Sequence, residues 1–201
     1  MTDTAPRVSR ARQESEDKLV QAAAELLGEV GPRAMSVRAV AERAGVNHGL
    51  VHHYFGGKDG LLRAAMKQLV EEHAEFARQQ SGGSPVPAPL ALTNDQRYLR
   101  AVVRSVLDDE MELARMELTE GVSVPRGALR HALEMRKMPA ADAETKALLA
   151  ISMAMEMGWA ALEPFLFAVA EVDDADEQDK VRTIAREYRR RLAQGAFDGQ
   201  P

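Results

Sequence analysis

Three histidines, His48, His52 and His53, fall within six positions of one another, interleaved with Asn47, Gly49, Leu50 and Tyr54 and followed by Lys58. These side chains suit the reading of a nucleic acid better than the breaking of a bond. An imidazole donates to guanine N7 or O6 or accepts from an exocyclic amine, leucine packs on a thymine methyl, and phenol and ammonium groups meet phosphate. Gly49 permits close approach of the backbone to a groove. His48 and His52 also stand one helical turn apart, a spacing open to two metal ligands, but no neighbouring carboxylate or cysteine completes a coordination shell. The rest of the chain lacks cysteine, a Gly-x-Ser-x-Gly elbow and a phosphate-cradling loop. No catalytic residue, metal or cofactor is therefore expected.

The flanking elements are spaced to present this cluster. Leu19, Ala22, Ala23, Leu26, Leu27 and Val30 recur at helical intervals, and Gly31 with Pro32 predicts the end of that helix. Ser36 is a candidate N-cap for a short helix that carries Val37, Val40, Ala41 and Ala44 inward. Ala44-Gly45-Val46 predicts a tight turn, and Asn47 a cap for the next helix, which runs to about Tyr54 with Phe55 in the core. Two short helices joined by such a turn, with a third helix before them, form a helix-turn-helix whose second helix enters the major groove.

The uninterrupted stretch from Lys18 to Leu62 resembles the N-terminal DNA-binding domain of the TetR family of bacterial transcriptional regulators. The resemblance rests on Ala23, Gly31, Ser36, Val40, Ala41, Ala44-Gly45-Val46, Gly49, Tyr54-Phe55, Lys58 and Leu61-Leu62. It implies DNA contact by Ser36, Arg38, Asn47, His48, Gly49, Leu50, His52, His53, Tyr54 and Lys58, with Arg38 at a position where the family often contacts a base. The chain departs from the family at His52, where tyrosine is usual; the place of that contact is carried over, not its chemistry. Helical spacing along the chain predicts an all-α fold of about nine helices, and the resemblance further implies a C-terminal ligand-binding domain and a homodimer closed by a four-helix interface.

Composition agrees. The chain has 201 residues, 45% apolar and only 4% aromatic, and no long alternating run that would suggest a sheet. No apolar signal segment or membrane span is evident, which predicts a cytoplasmic protein without membrane partners. Basic and acidic side chains balance in residues 1–80, so the net charge of −5 belongs to residues 81–201. Arg7, Arg10 and Arg12 read as a basic arm opposed by Asp3, and Arg38, Arg43 and Lys58 outweigh Glu42 around the turn. A modest basic patch of this kind suffices for a dimeric reader of double-stranded DNA.

Four segments follow: a helix-turn-helix domain over 9–57, a connecting helix over 58–80, a Ser/Gly/Pro-rich loop over 81–93, and a ligand-binding and dimerisation domain over 94–201. Thr93 to Gln96 has the pattern of a capping box, Pro125 can open a helix, and Asp142 can cap a long apolar one. A last helix runs from about Glu177 to Ala193. Ala154, Gly158, Ala161, Leu162, Ile184 and Tyr188 are candidate dimer residues. Met111, Met116, Met135, Met155, Trp159 and Glu163 are candidates for lining an adaptable apolar cavity for an unidentified small-molecule effector. Glu163, within an apolar run, meets a cationic ligand or pairs with an arginine. The expected function is a ligand-responsive repressor that binds a palindromic operator as a homodimer and is released by a small apolar effector. The alternative is an architectural or effector-independent DNA-binding protein, which the acidic C-terminal half disfavours.

Overall fold

The computed structural model describes the backbone from residue 5 to 198 and the side chains from 10 to 194. Among the described residues the chain is all-α. Ten α-helices are formed in chain order: α1 Ala5–Ala34, α2 Val37–Ala44, α3 Gly49–Phe55, α4 Lys58–Gln80, α5 Gln96–Leu107, α6 Met111–Ala114, α7 Met116–Thr119, α8 Val124–Met135, α9 Ala143–Val169 and α10 Ala175–Asp198. The expected count of about nine is met with one to spare, because α6 and α7 are separate single turns.

The helices fall into two compact units. The first runs to Glu72 and takes in Arg100–Gly121; the second comprises His73–Leu99 and the described residues from Val122 onward. Both α4 and α5 contribute residues to each.

In the first unit Leu19, Ala23 and Leu27 of α1, Val40 of α2, Val51 of α3 and Leu61, Ala65 and Met66 of α4 are almost wholly buried together. Val30, expected on the same stripe, is instead exposed. Gly31, at φ 82 and ψ 167, breaks the helical path of α1 at the predicted place. Ser36 caps α2 as its spacing predicted, its hydroxyl accepting from Ala39 N–H at 3.1 Å. The end of α5 and the residue after it are fastened to the end of α1: the backbone N–H of Arg33 donates to Asp108 Oδ2, and Arg104 Nε donates to the carbonyl of Gly28, both at 3.0 Å.

In the second unit α9 packs on α10 and on a 3₁₀ turn at Ala91–Asn94, with α8 alongside. Asp142 caps α9 as expected, accepting from Thr145 N–H at 2.8 Å. Those hydrogen bonds hold the Asp142 carboxyl below its usual range. Pro164 sits inside α9 without ending it. The capping box at Thr93 is not formed. Asp95 accepts from Tyr98 N–H instead, Gln96 donates to the carbonyls of Thr93 and Ala160, and the Thr93 hydroxyl is buried without a hydrogen-bond partner among the described residues.

Candidate nucleic-acid interface

The turn between α2 and α3 is made by Gly45, which adopts left-handed φ 66 and ψ 33 while its N–H caps the carbonyls of Ala41 and Glu42. That conformation reverses the chain within three residues and costs glycine nothing. Asn47 then accepts from Gly49 N–H through Oδ1 at 2.8 Å, as its capping role predicts, and His48 opens α3 without a side-chain capping bond. The His48 imidazole is therefore not consumed by the fold. Val51 is the single fully buried residue of α3, so the helix is anchored by one face while His48, His52 and His53 project to solvent.

Of the residues named from sequence, Ser36, Arg38, Asn47, His48, Gly49, His52 and His53 are exposed, and Leu50, Tyr54 and Lys58 are half-buried. Arg38, Asn47 and His48 line one shallow depression with Ala41, Glu42 and Val46, so the helix before the turn and the start of α3 share a surface. Lys58 Nζ donates to the carbonyl of Arg33 at 3.3 Å, which draws the start of α4 to the end of α1 and leaves two ammonium donors over.

The local charge differs from the sequence-based count. Arg43 is drawn off by Glu29 at 2.7 Å and Glu25 at 3.8 Å. Its hydrogen bond holds the Glu29 carboxyl below the ordinary range. Arg10 and Arg12 do not form a free arm: they lie on α1 beside Glu14 and Glu16 at 3.7 and 2.8 Å. Arg7 and Asp3 lie outside the residues whose side chains are described. Arg38 has no protein partner among the described residues. One contribution escaped sequence reasoning: Arg12 lies over the Tyr54 ring, 5.2 Å from its centroid, and Tyr54 packs on His53 at 5.2 Å. The residues are 42 apart, and only the fold brings them together.

The residues named for effector binding do not surround one cavity. Met111 and Met116 border a surface cleft in the first unit with Arg63, Lys67 and Arg115. Met135 is 72% exposed. Trp159 Nε1 donates to Glu163 Oε1 at 2.8 Å, and Arg182 grips the same carboxylate through Nε and Nη2 at 3.0 and 3.2 Å. Of the two alternatives left open for Glu163, the fold realises the arginine pair. A cavity of about 50 Å³ lies instead among His73, Ala77, Pro87, Leu92, Ser152, Met153, Glu156 and Arg189 in the second unit. Its signal in the sequence was a set of polar interruptions in apolar stripes: His73 four residues after Leu69, and Ser152 and Glu156 one turn apart on α9.

The six residues named for dimerisation all lie on α9 or α10, and Ala154, Ala161, Leu162, Ile184 and Tyr188 among them are exposed. They share these helices with exposed Ile151, Phe165 and Val169.

Residues 19–65 match the family described as bacterial regulatory proteins, tetR family. A helix-turn-helix-type transcriptional repressor of Mycobacterium tuberculosis is 29% identical over 165 residues, 81% of this chain and 81% of its own. The regulator BetI of Stenotrophomonas maltophilia is 38% identical over 94 residues, 46% of this chain and 44% of its own. Among solved structures, GusR of Salmonella enterica aligns over 98% of each chain with a TM-score of 0.59 at 14% identity, a likeness of fold. No helix among the described residues is long and apolar enough to cross a membrane. Together with the capped turn at Gly45 and the outward-facing α3, these matches identify residues 19–65 as a helix-turn-helix DNA-binding domain of the tetR family of bacterial regulatory proteins.

Proposed function

We propose that the protein is a ligand-responsive repressor that binds a palindromic operator as a homodimer. The observation that carries this reading is the disposition of α3, pinned by Val51 and otherwise turned outward, with Arg38 and His48 sharing one surface beside it. The matched Mycobacterium tuberculosis protein is itself named a repressor. In this reading residues 9–57 supply the reading head, and α4 carries Lys58 at one end and the cavity residues His73 and Ala77 near the other. An effector that favours one arrangement of α4 over another would shift the affinity for DNA, provided it binds the two states differently.

Selection of bound fragments from random duplex DNA tests the reading. A palindromic consensus is expected, with affinity that falls steeply as salt rises. Uniform retention of every duplex would support an architectural role instead. On the selected site, His48→Ala should lower the ratio of specific to nonspecific affinity by about tenfold, since a base-edge contact is worth about 1–3 kcal/mol. Lys58→Ala should weaken binding to both kinds of DNA about equally. The reverse pattern would overturn the assigned roles.

A dimer is favoured by the apolar face of α9 and α10. Phe165 is 64% exposed, Val169 67% and Tyr188 58%, and Ile151, Leu162 and Ile184 extend the same surface. Contiguous apolar area of this kind marks an interface more often than a solvated face. One recognition helix reads too few base pairs for useful specificity, whereas two related by a dyad read a palindrome. Phe165→Glu combined with Tyr188→Glu should convert the sedimenting species from dimer to monomer and reduce operator affinity at least about tenfold. A monomeric wild-type protein at micromolar concentration would refute the dimer.

A further inference from the structure

The cavity of the second unit is lined mainly by apolar side chains, yet three polar groups around it are left incompletely used. Ser152 is 3% exposed, and its hydroxyl has no hydrogen-bond partner among the described residues. A buried helical serine ordinarily bonds back to the carbonyl one turn earlier. Ser105 does so, donating to Ala101 O at 2.8 Å. Ser152 does not, and a buried hydroxyl without a partner is costly unless something else meets it.

His73 is also buried on this wall. Its ring stacks on Tyr98 with 3.9 Å between centroids and 3° between planes, and Nδ1 meets Asp95 Oδ2 at 2.8 Å. In a neutral His73 ring the bond to Asp95 places the hydrogen on Nδ1, which leaves Nε2 as an acceptor. Nε2 has no protein partner among the described residues. Arg189 engages Glu156 Oε2 through Nε at 3.1 Å, and no partner for its terminal nitrogens occurs among the described residues.

The carboxylates around the cavity are already engaged. Glu156 Oε2 accepts from Leu90 N–H at 2.9 Å as well as from Arg189, and Oε1 accepts from Leu92 N–H at 3.2 Å. Asp95 is taken by His73 and Tyr98 N–H. A cation would find no uncommitted carboxylate, and an anion would add to a wall that, with His73 neutral, already carries two carboxylates, Glu156 and Asp95, against the single guanidinium of Arg189. A neutral group that both accepts and donates a hydrogen bond fits what remains.

We propose that this cavity binds a small, uncharged, largely hydrophobic molecule bearing a hydroxyl group, with Ser152 donating to the hydroxyl oxygen and His73 Nε2 accepting its proton. This assigns the chemical class of the effector, and its regulatory consequence rests on the reading given under Proposed function. The cavity volume is about 50 Å³ as it stands. An engineered apolar cavity that takes up benzene measures about 150 Å³. A ring-sized occupant must therefore displace part of the wall.

Calorimetric titration of the full-length, DNA-free protein with phenol, toluene and benzoate tests the assignment. Phenol should bind saturably, one per chain, about tenfold more tightly than toluene, and benzoate should not bind. Ser152→Ala should bring phenol down to the affinity of toluene, and its melting temperature without ligand should be equal to or above wild type because an unpartnered hydroxyl is removed. Equal affinity for phenol and toluene in the wild type, preferred benzoate binding, retention of the phenol preference in Ser152→Ala, or failure of all three probes at millimolar concentration would each overturn it. Operator binding is measured separately. Phenol that binds as described without changing operator affinity supports the site and refutes ligand-responsive repression. Loss of sequence-specific DNA binding likewise counts against the regulatory reading alone.

Discussion

Replacing Gly60 with alanine is expected to destabilise the first unit by roughly 3 kcal/mol, the upper range for overpacking a closed site. A Cβ built on Gly60 would lie 1.9 Å from the carbonyl oxygen of Phe55 and 3.0 Å from its carbonyl carbon. The obstruction is backbone, so no side-chain rotation relieves it. Relief requires moving the last residue of α3 away from the first turn of α4, and so re-aiming the helix assigned to the groove. A thermal melt followed by circular dichroism should fall by roughly 10 °C, by the usual scaling for a chain of this size. Operator affinity should fall with it. Gly127→Ala is the matched control. It lies inside α8 with nothing within 4 Å of the added Cβ, and alanine there should stabilise by up to about 1 kcal/mol. Equal melting temperatures for the two variants would refute the steric reading of Gly60.

The second large effect is expected at Glu156, 6% exposed and, among the described residues, the acceptor for Leu90 N–H, Leu92 N–H and Arg189 Nε. Glu156→Ala strips all three donors and leaves a guanidinium that is 9% exposed in its side chain without its counter-charge. Removing one partner of a buried pair costs about 3–5 kcal/mol, mostly through the stranded charge. Arg189→Met added to Glu156→Ala should recover part of that loss, since it removes the stranded charge, but not all, because the two backbone donors remain. Urea denaturation of wild type, both single variants and the double variant closes the cycle. Additive single effects would show that the pair is not coupled. Both arms are read as stability, so neither depends on an effector being known.

The parts of the fold legible in the sequence are those fixed by local signals. Ser36, Gly45, Asn47 and Asp142 each act on backbone groups within four residues, and each caps or turns where its spacing said it would. Thr93 failed as a cap because Asp95, two positions on, is held in place by His73, 22 residues away, and takes the capping role itself. Arg43 reads as a basic contributor until α1 brings Glu29 beside it. Met155, named from sequence, does not line the cavity found in the second unit, for a geometric reason. Residues two apart on a helix point some 200° apart, so Met153 faces that cavity while Met155 turns away from it. The polar set of the cavity joins residues from three distant segments, and no spacing rule spans them.

One consequence follows from the way Glu156 holds the stretch before α5. Its carboxylate grips main-chain N–H groups of residues 90 and 92, not side chains. Such a mooring is indifferent to spelling upstream: residues 81–89 can be rewritten, lengthened or shortened while the tether survives, and only proline at 90 or 92 would cut it. Natural variation along that strap could thus retune which molecules are admitted without re-evolving the body that holds it.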